Sequence, residues 1–118
     1  MDATIMVGLP LRTEFVRVKS WHHLQTLVGG HPQVVALRPG TSLAALFVKR
    51  KASADDGHWW IYQDEHGEIH RLHLPCVVCR VGLDSRGKLT VSGPTEDDFD
   101  WMLEYLFDAT VNNEAVDP

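Results

Sequence analysis

Apolar and polar side chains alternate along several short stretches of this chain, and a period of two residues predicts β-strands. These stretches are rich in Val, Ile, Thr and aromatic residues, which favour an extended backbone. A further segment, residues 42–51, contains two adjacent alanines that favour a helix, but we predict a strand there because compact hairpins follow it. The other predicted strands cover residues 13–19, 33–39, 58–63, 68–74, 76–83 and 88–92.

Two of the loops between predicted strands end in glycine, DEHG (64–67) and DSRG (84–87). Glycine fits the left-handed position of a three-residue hairpin loop. This register pairs Trp60 with Leu72 in the first hairpin. In the second hairpin it produces one apolar face and one polar face, the pattern of a half-buried antiparallel sheet. The predicted apolar face consists of Val77, Cys79, Val81, Leu83, Leu89 and Val91.

A period close to 3.6 residues predicts two helices. Ser20 is suited to cap a short helix over residues 21–28. Thr95 caps a second helix near the end of the chain, where Asp98 completes a variant of the capping box. The predicted buried stripe of this helix is Phe99, Met102, Leu103, Leu106, Phe107 and Thr110. Its acidic side, which we expect to face solvent or a basic partner, comprises Glu96, Asp97, Asp98, Asp100, Glu104 and Asp108.

These elements predict an α+β fold. An antiparallel β-sheet of about five to seven strands, a meander of hairpins, packs with one face against a C-terminal amphipathic helix and a short N-terminal helix. The length of 118 residues is typical of one domain. We therefore expect a single domain over residues 1–112 and a polar, frayed tail over residues 113–118.

The composition excludes some classes of partner. The net charge of -5 argues against binding to nucleic acid or to anionic lipid, because both require a cationic surface. No apolar run approaches the ~18 residues of a membrane-spanning helix. The N-terminus lacks the basic and long apolar regions of a secretory signal, so we expect a cytoplasmic protein with reduced thiols.

Four potential zinc ligands occur at every third position of HRLHLPCVVC: His70, His73, Cys76 and Cys79. Zinc requires ligands that converge on one point. In an extended strand, residues three apart point to opposite sides, so the two histidines diverge, and so do the two cysteines. The hairpin register places Cys79 inside and Cys76 outside. We therefore expect no metal at this stretch, unless a bend at Pro75 brings the ligands together.

Adjacent tryptophans make the first hairpin the most informative part of the sequence. Trp59 and Trp60 must face opposite sides of a strand, so one indole leaves the core in either register. In the three-residue register the core side carries Trp60, Tyr62, Leu72 and Leu74. The other side carries Trp59, Ile61, Ile69, Arg71 and His73. Tryptophan and arginine are enriched at interface hot spots, and this side is therefore the candidate interface, with Trp60 replacing Trp59 if the register shifts.

Three functions are compatible with these features. The leading hypothesis is a non-enzymatic binding or regulatory domain that forms a homodimer or binds a protein partner. The second is a small enzyme that uses His58 or His73 with a carboxylate near the tryptophan pair. The third is a zinc-binding regulator that uses the four ligands named above. The sequence contains no phosphate-binding loop and no recognised catalytic motif, so we assign no catalytic residue and expect no cofactor.

Overall fold

A computed structural model describes residues 2–9, 12–38, 40–48 and 59–106, without the side chain of Trp59. The α+β fold is confirmed: one antiparallel sheet has six strands, a second sheet has two, and a helix lies near each end of the chain. The elements in chain order are β1 Ala3–Leu9, β2 Arg12–Val18, α1 Trp21–Val28, β3 Gln33–Ala36, β4 Leu43–Phe47, β5 Trp59–Gln63, β6 Ile69–His73, β7 Cys76–Leu83, β8 Leu89–Ser92 and α2 Glu96–Trp101, which continues as a π-helical turn, Met102–Leu106.

The large sheet has the strand order β2-β1-β7-β4-β3, and β8 pairs with the distal half of β7. The ambiguous segment at 42–51 forms strand β4, as predicted. The sequence analysis did not predict β1, although it lies beside β7 inside the sheet. Its sequence, ATIMVGL, is almost continuously apolar because residues on both faces are buried, so the alternation that marks a half-exposed strand is missing.

The large sheet is covered on both faces, whereas the sequence predicted helices on one face. One apolar cluster contains Leu24 and Val28 of α1 together with Val77 and Cys79 of β7. The other cluster lies across the sheet, where the β5–β6 hairpin and the C-terminal helical segments supply side chains that pack on Cys76 and its neighbours. The fold therefore has three layers, with the large sheet in the middle.

This second covered face corrects the prediction for Cys76. The residue points away from Cys79, as the strand alternation requires, but it is fully buried rather than facing solvent. Burial raises the pKa of each thiol to about 12. The C-terminal end of β7 pairs only with β8, so the predicted apolar face is not covered there. Leu83 at this end is 71% exposed.

The predicted turns and caps are confirmed. Ser20 caps α1, its Oγ accepting a hydrogen bond from the backbone N–H of His23 at 3.1 Å, and Gly29 ends the helix with φ 87°. In the two hairpin loops, Gly67 and Gly87 have φ values of 85° and 78°. These left-handed conformations are the ones that glycine adopts without strain.

The C-terminal helix begins as predicted but exposes a different face. Thr95 and Asp98 form the capping box. In a π-helical turn the backbone hydrogen bonds join residues five apart rather than four. The side chains that follow are therefore rotated about the helix axis relative to a regular α-helix. As a result Leu103, predicted to be in the core, is 59% exposed, while Trp101, which precedes this turn, is buried. Met102 and Leu106 are buried as predicted, and the predictions for Phe107, Thr110 and Asp108 lie outside the described residues.

Asp98 was predicted on the solvent face of this helix but is completely buried. Its Oδ2 accepts a hydrogen bond from Nη1 of Arg80 at 3.1 Å and one from the backbone N–H of Thr95 at 2.9 Å. Its Oδ1 lies 3.5 Å from Nη1 of Arg38. A buried carboxylate requires such partners, and these contacts connect the helix to β7 and to the segment that follows β3.

Candidate functional site

The β5–β6 hairpin forms its own two-stranded sheet, and its inner face is part of the core. Trp60 pairs with Leu72 in the predicted register. The inner side chains Trp60, Tyr62, Leu72 and Leu74 are all buried. This resolves which tryptophan of the pair enters the core: it is Trp60, whose position inside the protein removes it from the candidate interface.

A close approach to β1 fixes this inner face in place. The six-membered part of the Trp60 indole lies directly on Gly8, where a Cβ atom would be 2.5 Å from Cη2 and 2.6 Å from Cζ2. No side chain larger than hydrogen fits at Gly8 unless the indole moves. The hairpin is therefore held against the large sheet by a ring-on-backbone contact, and its opposite face is turned away from β1.

The outer face of the hairpin is defined by Ile61, Ile69, Arg71 and His73. Ile69 is 69% exposed, Arg71 is exposed and Ile61 is half-buried. Ile61 lies directly opposite Arg71, and Ile69 is its diagonal neighbour across the strands. The exposed Gln63 lies opposite Ile69, so the face combines two isoleucines with polar neighbours. The side chain of Trp59, predicted on the same face, lies outside the described part.

His73 lies at the opposite end of the hairpin from the loop and is only partly exposed. Its ring stacks on the buried Phe47, with the ring centroids 5.6 Å apart and an angle of 28° between the planes. This contact attaches the end of β6 to β4. His58, the other histidine of the enzyme hypothesis, lies outside the described residues.

The loop end of the hairpin brings together Asp64, Glu68 and His70, a group that the sequence analysis did not identify. Oδ1 of Asp64 accepts hydrogen bonds from the backbone N–H groups of His66 at 2.8 Å and of Glu68 at 2.9 Å. Its Oδ2 lies 2.7 Å from Nε2 of His70. This contact with the imidazole is the main reason why the pKa of Asp64 is below its ordinary value.

Tyr62 packs beside this group. Its ring is nearly parallel to the imidazole of His70, with the centroids 4.8 Å apart, and nearly perpendicular to the ring of Trp101, with the centroids 6.1 Å apart. Burial raises the pKa of the Tyr62 hydroxyl well above the ordinary value, and the negative charge of Asp64 adds to the shift. Within the described residues, the hydroxyl makes no hydrogen bond.

The four residues of the predicted zinc motif do not converge. Cys76 and Cys79 lie in apolar clusters on opposite faces of the large sheet. His70 contacts Asp64 in the small sheet, and His73 stacks on Phe47. The expectation that the two thiols point to opposite sides is confirmed. The predicted hairpin register already indicated the neighbours of His70, because it places Tyr62 opposite His70 and Asp64 opposite Glu68.

In the part of the chain that the structure describes, no helix is both long enough and apolar enough to span a membrane. Comparison of the chain with protein-family models, with curated proteins and with solved structures found no match.

Proposed function

We propose that this protein is a non-enzymatic binding domain that self-associates through the outer face of the β5–β6 hairpin. The observation that carries the proposal is the exposure of Ile69, which is 69% accessible beside the half-buried Ile61. Apolar surface left in water costs roughly 25 cal/mol per Å² relative to burial. A second copy of the chain would bury this face twice in an isologous contact.

The size of the face limits the strength of the contact. Two strands of five residues span roughly 17 Å by 10 Å with their side chains. Such a face offers a few hundred Å², whereas a stable interface buries about 800 Å² per partner. We therefore expect a weak, concentration-dependent dimer in which Arg71 stacks on an aromatic or aliphatic group of the second copy.

The test is the solution mass of the untagged protein as a function of concentration, up to several hundred micromolar, by sedimentation velocity or light scattering. We expect the dimer fraction to rise with concentration and the variant Ile69→Lys to remain monomeric. Leu83→Lys is the matched control, because Leu83 is 71% exposed on the other hairpin. A monomeric wild-type protein at the highest concentration, or equal dimerisation of both variants, would refute the proposal.

A further inference from the structure

The two hairpin loops have the same hydrogen bonds, so the side chains that they share are those that the turn requires. Each loop begins with an aspartate whose Oδ1 accepts two backbone N–H groups, from residues 66 and 68 in one loop and from residues 86 and 88 in the other. Each also has an N–H of glycine donating to the backbone carbonyl of that aspartate at 3.0 Å. The turn chemistry thus accounts for the aspartate and the glycine of both loops.

The two hairpins differ at several positions, and at two of them the side-chain chemistry changes although the turn does not depend on it. The first hairpin has Glu68 and His70 where the second has Lys88 and Thr90. The second loop forms the same hydrogen bonds with a cation and a hydroxyl at those positions, so neither the carboxylate nor the imidazole is needed for folding of the turn. Both are additional features of the first hairpin.

These two side chains and Asp64, whose Oδ2 accepts no backbone N–H, offer three donor atoms that lie within 4.8 Å of one another. Nε2 of His70 is 2.7 Å from Asp64 Oδ2 and 4.0 Å from Glu68 Oε2. Two atoms bound to one zinc ion at about 2.1 Å lie about 3.4 Å apart at the tetrahedral angle. These two separations fall on either side of that value, and the third is at most 4.8 Å, so side-chain rotations can bring all three donors onto one ion.

A second observation points to a ligand at the same place. Tyr62 is 2% exposed, and within the described residues its hydroxyl has no hydrogen-bond partner. The phenol stands directly opposite His70 on the same side of the hairpin, with its ring against the imidazole. Asp64 follows two residues later and therefore lies on the same side. Buried hydroxyls normally have partners. With three protein donors, a tetrahedral ion retains one position for water, and that water is a partner for the hydroxyl.

We propose that Asp64, Glu68 and His70 bind one divalent transition-metal ion of the Zn²⁺ class, with Tyr62 in contact with its water. The donor set selects the class. An imidazole nitrogen suits Zn²⁺ and its neighbours in the first transition row, whereas Mg²⁺ and Ca²⁺ prefer oxygen donors alone. The carboxylates of Asp64 and Glu68 balance the charge of the ion. This site is separate from the outer face of the hairpin and does not depend on self-association.

The test is a titration of untagged protein with Zn²⁺ by calorimetry, with Co²⁺ absorption as a second probe. We expect one equivalent to bind. The double variant Glu68→Lys, His70→Thr copies the second hairpin, keeps Asp64 for the loop, and should weaken binding by at least about tenfold, since even changes of residues that only support metal ligands cost 10–100-fold. His66→Ala removes an exposed histidine of the same loop and should leave the affinity within about twofold.

Two further measurements make the result decisive. Thermal unfolding without metal should show that both variants are folded, and the ¹⁵N signals of the His70 ring in the wild-type protein should shift on addition of Zn²⁺ while those of His66 do not. The proposal is overturned if the wild-type protein binds no Zn²⁺, if the double variant binds as tightly as the wild type, or if the His70 signals do not move.

Discussion

The contact between Gly8 and Trp60 gives the sharpest test of how the hairpin is attached to the large sheet. Gly8→Ala adds one methyl group at a site where it would meet ring carbons of Trp60 at 2.5, 2.6 and 2.9 Å. Trp60 is 0% exposed, so its indole cannot swing into solvent to make room. Overpacking of this kind costs ~1–3 kcal/mol of unfolding free energy.

An opposing effect must be subtracted from that cost. Alanine restricts the unfolded chain more than glycine does, which stabilises a protein by ~0.4–1 kcal/mol where the native backbone accepts it. Gly8 is not among the described glycines with positive φ, so its backbone is compatible with alanine. The difference between the two effects is a net loss of ~0–2.6 kcal/mol of unfolding free energy. Because the added methyl group would meet three buried ring carbons at under 3.0 Å, we expect the upper part of that range, ~1–2.6 kcal/mol.

The assay is urea denaturation followed by circular dichroism, in two backgrounds. Trp60→Phe removes the ring that Gly8 contacts, so Gly8→Ala should cost at least ~1 kcal/mol less in that background than in the wild type. Gly82→Ala is the control, since it is also a strand glycine without positive φ but meets only the exposed Thr90 hydroxyl, at 3.2 Å. Equal costs of Gly8→Ala in both backgrounds, or a neutral effect in the wild type, would show that the indole does not lie on β1.

Two further predictions concern the places where the sequence analysis was wrong. Cys76 and Cys79 are buried, and their pKa values are raised to about 12. Both thiols should therefore react with a thiol reagent at pH 8 only as fast as the protein unfolds. Rapid labelling of Cys76 would mean that the second face of the large sheet is exposed to solvent. Met102→Ala should cost ~2–5 kcal/mol of unfolding free energy because Met102 is fully buried, whereas Leu103→Ala should cost less than ~1 kcal/mol. Denaturant titrations that give equal losses at the two positions would exclude the π-helical turn.

The features that were predicted correctly are those that local chemistry determines. The N-cap of α1, the glycines of the two hairpin loops and the capping box of α2 each depend on contacts between residues at most four apart. The pairing of Trp60 with Leu72 follows from the loop alone. Such features need no knowledge of the rest of the fold, because turn and cap preferences act over a few residues.

The errors arise where distant segments decide the environment. Cys76 was assigned to solvent because the alternation along β7 reveals that its two sides differ, but not that a second sheet covers the polar side. Leu103 was assigned to the core because a regular helical period was assumed through a segment that forms a π-helical turn. The group proposed to bind metal was missed for another reason: the zinc motif over residues 70–79 was sought among histidines and cysteines, while the neighbours of His70 are Asp64 and Glu68.

Comparison of the two hairpins distinguishes the residues that the turn requires from those that are available for binding. They share the loop register, the aspartate cap and the left-handed glycine, so these features cannot by themselves indicate a role. The second hairpin continues the large sheet through β7, whereas the first forms a separate sheet and carries Ile69 on an outer face together with Glu68 and His70 at its loop. Since folding of the loop explains none of these three residues, they are the part of the hairpin on which binding can depend. Each has a counterpart in the other hairpin, and we therefore expect substitutions that convert one hairpin toward the other to remove the proposed binding without changing the turn.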